Sequence, residues 1–441
     1  MVGSIIFPIF ATKQQKITIM RVLIVNTSER TGGAAVAANR LTEALNNHGV
    51  KAKMLVRDKQ TDSITTASLP ASWRLRWNFL WERFTIWKSN GFSRKNLFAV
   101  DVANCGTDIT RLPEFREADI IHLHWVNQGM LSLKGIRKIL ESGKPVVWTM
   151  HDMWPCTGIC HHARECKGFH AGCGQCWLLC FPKDKDLSHQ VLMKKQQVYA
   201  AGLIHFVTCS HWLEGMARQS ILTQGHNVRT IHNALDTSLF KPDDRQSARE
   251  RLGLPDKKRL ILFGAVKPGD KRKGIDYFVE ACQLLVKRNP ALKDEAGIVV
   301  FGNKADELQA LLPFPVYPLG YIHGEREMVD VYNAVDLYAT PSLEENLPNT
   351  IAEAQACGTP CVGFRIGGIP EMIDHLENGY VAEYRQAEDF AHGIHWILNE
   401  ADADTLGKKA RQKAIVAYGE DNVTKQYIHL YEEALKQKKH G

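Results

Sequence analysis

No run of about 18 or more apolar residues, the length a bilayer demands, occurs in the 441-residue chain, which argues against a transmembrane helix. Neither G-x-S-x-G nor G-x-x-x-x-G-K-[ST] is present, so the hydrolase and P-loop kinase readings fall. There is no repeat of solenoid length and no low-complexity tract. Acidic residues are outnumbered by basic ones, 48 to 55, and the net charge of +7 suits phosphates, anionic lipid heads or nucleic acid without choosing among them. With 44% hydrophobic residues the chain can bury sizeable cores, and at roughly 100 to 200 residues per domain two or three domains are expected.

The apolar opening from Val2 to Phe10 has no basic stretch before it and no small-residue cleavage motif after it. Residues 1–19 are therefore expected to be a start-site extension ahead of a first strand at Met20. That strand, residues 20–26, is followed by a Gly32-Gly33 turn and a helical pattern through Val36, Leu41, Ala44 and Leu45 that ends at Gly49. Further strand-like runs at 52–56, 119–124, 146–150 and 204–209 alternate with helix-length segments, which describes a parallel sheet with crossover helices. The same grammar restarts at 259–264, 297–302, 316–319, 336–340 and 360–364, with a helix over 275–287. The expectation is an α/β fold of two Rossmann-like, doubly wound domains facing across a cleft. The first spans 20–232, a turn-rich linker 233–244, the second 245–420, and an amphipathic helix closes the chain over 421–441 with Val423, Tyr427, Leu430 and Leu435 as its apolar contacts. In such sheets ligands bind beyond the carboxyl ends of the strands, so the cleft is the expected active site.

Glu345 and Glu353 stand eight apart after the strand that ends near Thr340. A helix starting near Asn349 would aim unpaired backbone N–H groups at the cleft, which suits a diphosphate, while the two carboxylates accept hydrogen bonds from sugar or ribose hydroxyls. The plainer alternative is that Glu345 caps the helix and Glu353 is an ordinary helix glutamate.

These residues, with Ala356-Cys357-Gly358-Thr359-Pro360 and Gly367-Gly368-Ile369-Pro370-Glu371, resemble the donor-site signature of the family 4 retaining glycosyltransferases of GT-B fold. Gly32-Gly33-Ala34 is similar to that family's first loop, Ser210-His211-Trp212 to its S-x-W turn, and Ile231 to Phe240 to its interdomain linker. The loop after Glu345 resembles those of capsule, colanic-acid and exopolysaccharide transferases. What the resemblance implies is transfer of a sugar from a nucleotide-diphosphate sugar to a glycan hydroxyl, with retained configuration, in bacterial surface polysaccharide synthesis. His151, Lys273 and Glu345 would be its catalytic residues. Gly32, Gly33, Lys271, Arg272, Asn346, Leu347, Pro348, Asn349 and Glu353 would hold the donor, with Glu353 on the ribose. Lys273 matches the family's phosphate-binding lysine, where a cation offsets charge building on the departing diphosphate. Ala265 stands where the family commonly carries an arginine, leaving Lys267, Lys271 or Arg272 to replace it.

His151-Asp152 ends the strand over 146–150, and His122-x-His124-Trp125 ends another; the first reads as a sugar contact or a structural pair, the second as a cleft wall, an acceptor contact or core. Two D-x-D triplets, Asp184-Lys185-Asp186 and Asp402-Ala403-Asp404, follow no strand, so no metal cofactor is expected in the chemistry.

Six of the eleven cysteines crowd into 156–180. Cys160, Cys166, Cys173 and Cys176 carry one zinc-knuckle half, Cys173-Gly-Gln-Cys176, and a structural zinc competes with a disulfide pair; Cys156, Cys180, His161 and His162 are spare ligands. The other five cysteines are scattered, which suits a reducing cytoplasm. Trp73, Trp77, Leu80, Trp81, Phe84 and Trp87 recur at helical spacing among Arg74, Arg76, Arg83 and Lys88. Residues 73–88 thus read as a basic membrane-surface helix or as a core-packed one. Membrane contact fits a polyprenyl-diphosphate-linked acceptor on the inner face of the plasma membrane. The competing functions are a GT-B-fold sugar-nucleotide epimerase and a non-catalytic zinc-bearing binding protein. No nucleic-acid-binding motif accompanies the basic balance, so no nucleic acid is expected.

Overall fold

The computed structural model describes residues 20–264, 271–302, 308–322 and 324–440. The extension 1–19, Ala265 and Lys267 lie outside the described residues. The N-terminal sheet contains β1 (Arg21–Ser28), β2 (Lys51–Asp58), β3 (Thr66–Ser68), β4 (Ile120–Leu123), β5 (Val146–Met150), β6 (Ile204–Thr208) and β7 (Asn227–Thr230) in the spatial order β3-β2-β1-β4-β5-β6-β7. The second sheet contains β8 (Arg259–Gly264), β9 (Ala296–Phe301), β10 (Val316–Gly320), β11 (Leu337–Thr340), β12 (Cys361–Phe364) and β13 (Gly379–Ala382) in the order β10-β9-β8-β11-β12-β13. Every pairing in both sheets is parallel.

The central strands are buried along nearly their whole length, because helices cover both faces; an apolar run such as Val22-Leu23-Ile24-Val25 is the signature of that environment. In each sheet the winding reverses once, between β1 and β4 and between β8 and β11, and each reversal opens a crevice at the carboxyl ends of those strands. The segments that follow these strand ends carry Gly32 and Gly33, Trp125, Lys273 and Glu345, and His151 follows the neighbouring β5.

The chain crosses back at its end. Helix Glu420–His440 packs Val423, Tyr427, Leu430 and Tyr431 onto Val22, Ile24, Leu41 and Leu45 of the N-terminal domain. The Leu235 N–H donates to Tyr418 O at 2.8 Å and the Glu420 N–H donates to Leu235 O at 3.1 Å, so the outgoing linker and the returning strand of chain lie side by side. Tyr431 OH meets His122 Nδ1 at 2.7 Å, and Thr149 Oγ1 meets His122 Nε2 at 2.7 Å. His122 is thereby a core residue tying the last helix to β4 and β5.

Helix Trp73–Ser89 is capped by Ser72, whose hydroxyl accepts from the Arg74 N–H. Its polarity is inverted. Glu82, Arg83 and Ile86 face inward, with Glu82 Oε1 accepting from the N–H groups of Val102 and Ala103 at 3.0 and 2.7 Å and Arg83 paired with Asp101. Trp73, Trp77, Leu80, Trp81 and Phe84 are exposed, so they are not core. Among the described residues no helix is long and apolar enough to cross a membrane.

Candidate active site in the interdomain cleft

Gly32, at φ 92°, turns the chain from β1 into helix Gly33–Asn47. Its neighbour Gly33 presents a carbonyl that accepts from Asn349 Nδ2 at 3.1 Å, and Asn349 Oδ1 accepts from Asn233 Nδ2 at 2.9 Å. Asn349 opens helix Asn349–Ala356, preceded by Pro348. Proline fits a position that needs no N–H, and no side chain caps this helix, so its first amides face the cleft with their dipole uncompensated. The two glycine- and asparagine-bearing loops, 316 residues apart, thus meet across the cleft.

Lys273 ends the turn Lys271–Lys273 and forms an ion pair with Glu345. Two glycines make that approach possible. Gly274 stands at φ 73°, and a Cβ there would fall 1.8 Å from the Pro341 carbonyl oxygen; Gly367 stands at φ 56°, where a Cβ would fall 1.7 Å from the Glu345 oxygen. No side chain fits either contact, so the basic turn lies directly against the end of β11 and the Gly367-Gly368 turn directly against the Glu345 loop. The Gly368 N–H then donates to Asn346 O at 2.8 Å.

The Asn346 side chain, carried by the second domain, is held by the first. Ser210 Oγ donates to its Oδ1 at 2.6 Å and its Nδ2 donates to His151 O at 3.1 Å. Leu347 is buried in the second domain's core, so only its backbone is available to a ligand. Glu371 reaches the other way: its carboxylate accepts from the His211 and Trp212 N–H groups at 2.8 and 2.6 Å, capping helix His211–Arg218 of the first domain.

Glu353 is buried beneath the cleft. Tyr332 OH donates to its Oε2 at 2.8 Å, and Arg40 Nη2 lies 2.8 Å from its Oε1. Arg40 also pairs with Glu325 at 2.8 Å. Burial alone would lower the Arg40 pKa, but the two carboxylates outweigh it and the guanidinium is held more firmly charged than in water. Arg40 and Tyr332 were not legible as site residues; the signal available was an arginine set among the small residues of the Gly33–Asn47 helix.

His151 is half-buried at the cleft, and both of its ring nitrogens face protein groups. Its Nε2 lies 2.9 Å from His124 Nδ1 and its Nδ1 lies 3.6 Å from Cys209 Sγ. Burial keeps this stack neutral, pushing His151 down to about 4 and His122 to about 3, with His124 also well below its usual value. Asp152, beside it, accepts from Trp125 Nε1 at 2.9 Å and from His161 Nδ1 at 2.7 Å, while His161 Nε2 reaches Asp101 at 2.7 Å. Burial opposes the charge on His161, but Asp152 and Asp101 overcome it and hold the ring cationic.

Cys160, Cys166, Cys173 and Cys176 all line one cavity of about 20 Å³, and all eleven cysteines are free thiols. The soft donor set suits zinc, but among the described residues no group of three or more His, Cys, Asp or Glu side chains is disposed as a coordination shell. The D-x-D triplets serve as helix caps: Asp186 accepts from the Ser188 and His189 N–H groups, and Asp402 from the Asp404 N–H.

Comparison with known proteins agrees with this geometry. Residues 31–239 match the model described as Glycosyltransferase Family 4, and residues 257–400 match that described as Glycosyl transferases group 1. A D-inositol 3-phosphate glycosyltransferase from Saccharomonospora viridis is 28% identical over 221 residues, 47% of this chain and 50% of that protein. The chain spans about half the length of the curated relatives it matches. Among solved structures, sucrose-phosphate synthase from Thermosynechococcus elongatus superposes with a TM-score of 0.65 at 17% identity, over 95% of this chain and 100% of that one. Anabaena HepE in complex with UDP-glucose superposes with a TM-score of 0.62 at 16% identity, over 94% and 100%. Two parallel α/β domains closing on a shared cleft, with family matches running through both, show that the chain belongs to the family 4 glycosyltransferases and has the GT-B fold.

Proposed function

We propose that the chain transfers a sugar from a nucleotide-diphosphate sugar to an acceptor hydroxyl with retention of anomeric configuration. The observation that carries the reading is the convergence of the Gly33 loop, the open end of helix Asn349–Ala356 and the Lys273–Glu345 pair on one cleft. The helix amides and Lys273 supply positive potential where the diphosphate leaves, and Glu353 supplies the ribose acceptor oxygens. The departing phosphate oxygen takes the acceptor proton on the same face, so no dedicated base is needed. His151, neutral and bonded to His124, positions the donor sugar through its edge of the cleft. HepE in complex with UDP-glucose makes UDP-sugars the first donors to test.

The acceptor in this proposal is a glycan on a polyprenyl-diphosphate lipid in surface polysaccharide synthesis, reached from the inner face of the plasma membrane. The outward tryptophans of helix Trp73–Ser89, flanked by Arg74, Arg76 and Lys88, support contact with an anionic membrane surface. NMR of the first-formed product tests the reading. Retained configuration, dependent on acceptor, supports it; inversion overturns it, and product formed without acceptor points to an epimerase. The cysteine insertion is proposed to take one structural zinc, which the four thiols around one cavity support. Metal analysis of reduced protein checks this, with about one zinc per chain expected and none contradicting it.

A further inference from the structure

Next to the Lys273–Glu345 pair lies a pocket of about 620 Å³, within the range of small-molecule sites. Trp125 and Asp152 contribute from the ends of β4 and β5, His162, Arg164 and Trp177 from the cysteine insertion, and Arg272 and Glu344 from the second domain. Arg272 and Glu344 are the chain neighbours of Lys273 and Glu345, and His162 lies within electrostatic reach of both Glu344 and Glu345. The pocket therefore adjoins the Lys273–Glu345 pair at which transfer is proposed to occur.

Its chemistry is specific in two respects. Three guanidiniums line it, those of Arg94, Arg164 and Arg272, against the carboxylates of Asp152 and Glu344. Asp152 is already engaged by Trp125 and His161, and Glu344 by Arg164, whereas Arg94 makes no ion pair among the described residues. The balance is cationic. Two indoles also line it, and the Arg164 guanidinium lies 4.7 Å from the ring centre of Trp177, which orients both. Guanidiniums select phosphates through paired N–H donors, and indole faces bind the C–H faces of polyol and sugar rings.

We infer that this pocket is the acceptor subsite and that it takes a phosphorylated polyol or sugar head, its phosphate at Arg94 and Arg164 and its ring against Trp125 and Trp177. The inference rests on the transferase reading and gives its acceptor a charge. The same chemistry comes from two sources, a free polyol phosphate or the diphosphate head of a lipid-linked sugar. Phe98 lines the pocket and lies under the guanidinium of Arg83 from helix Trp73–Ser89. An aromatic row from Phe92 through Trp87, Phe84 and Trp81 to Trp77, with ring centres 4.7 to 6.0 Å apart, runs along that helix and offers a surface on which a lipid tail can lie.

Calorimetric titration of the full chain with D-inositol 3-phosphate, with myo-inositol and with a short-chain polyprenyl diphosphate in detergent tests it. Arg94 is exposed and Trp177 partly exposed, so Arg94→Ala and Trp177→Ala leave the fold intact. Expected are binding of the phosphorylated probes, binding of myo-inositol about tenfold weaker or less, and about tenfold losses in both variants. Nucleotide-sugar stabilisation is expected to persist in both. Tighter binding of the polyprenyl probe assigns the lipid source, and tighter binding of the inositol phosphate assigns the free one. Equal binding of inositol and its phosphate, unchanged affinity in both variants, or no probe binding by a protein that responds to its nucleotide sugar overturns the inference alone. A wild-type protein that binds the phosphorylated probes yet responds to no nucleotide sugar keeps the anion site and loses its acceptor role, because then the transferase reading has failed.

Discussion

Arg40 of the first domain and Glu353 of the second form a 2.8 Å ion pair across the cleft, at the carboxylate proposed to hold the donor ribose. Tyr332 secures the other oxygen of Glu353, so the carboxylate is oriented before any ligand arrives, and the pair links cleft closure to the nucleotide site. Because both side chains are buried, removing Arg40 leaves Glu353 uncompensated. Arg40→Ala is expected to cost about 3 kcal/mol, and thermal unfolding measures it. The double variant with Glu353→Gln is expected to be more stable than additivity allows by about 1 kcal/mol or more. Additive losses contradict the pairing.

Lys273 faces Glu345 and the proposed path of the leaving diphosphate. Its contribution is greatest where charge develops, so Lys273→Ala is expected to lower kcat by about 100-fold or more while changing donor affinity far less. Steady-state kinetics separates the two. A variant that loses donor affinity alone, with kcat intact, would place Lys273 in ground-state binding only.

Acid stability follows from the stacked histidines. His122 and His151 are held at about 3 and about 4 when folded and titrate near 6.5 when unfolded. Folded values below unfolded ones contribute stability that is complete above pH 6.5 and is lost as pH falls through the folded values. Each should remove about 1.4 kcal/mol per pH unit across that window. His161 runs the other way, its contribution complete below pH 6.5, diminishing as pH rises above that value and gone once pH passes its folded value of about 10. Melting temperature should therefore fall steadily from pH 6.5 to 4. A flat profile there would show that the stack is not buried and neutral.

The outward aromatics of helix Trp73–Ser89 carry a separate expectation. Trp77→Ser with Trp81→Ser should abolish sedimentation with anionic phospholipid vesicles and shift unfolding free energy by no more than about 0.5 kcal/mol, as at other exposed sites. A wild-type chain that ignores such vesicles, or a double variant that melts like a core mutant, contradicts it.

The buried parallel strands were legible because a strand covered on both faces reads as a short, nearly continuous apolar run; β5 and β8 fall where the residues placed them. β3, β7 and β13 escaped notice: each has three or four residues and lies at a sheet edge, too short to show a pattern. Val423, Tyr427 and Leu430 were readable as one apolar face, but not the domain they face, since helical spacing records burial and not partners. The same limit hid Arg40, whose two carboxylate partners come from the other domain. For the tryptophan helix the residues left two orientations open, because its inward face is made of Glu82 and Arg83, satisfied by a loop's backbone and Asp101, and not of an apolar stripe.

The most direct test is a thermal-shift screen of the purified chain against UDP-, GDP-, dTDP- and ADP-sugars, repeated with Glu353→Ala. A ligand bound only by the folded state raises its stability, and Arg40 keeps Glu325 as a partner in the variant, so the fold persists. The account predicts a clear rise with one nucleotide class, much reduced in the variant. No rise with any of them, or a rise untouched by the loss of Glu353, would contradict it.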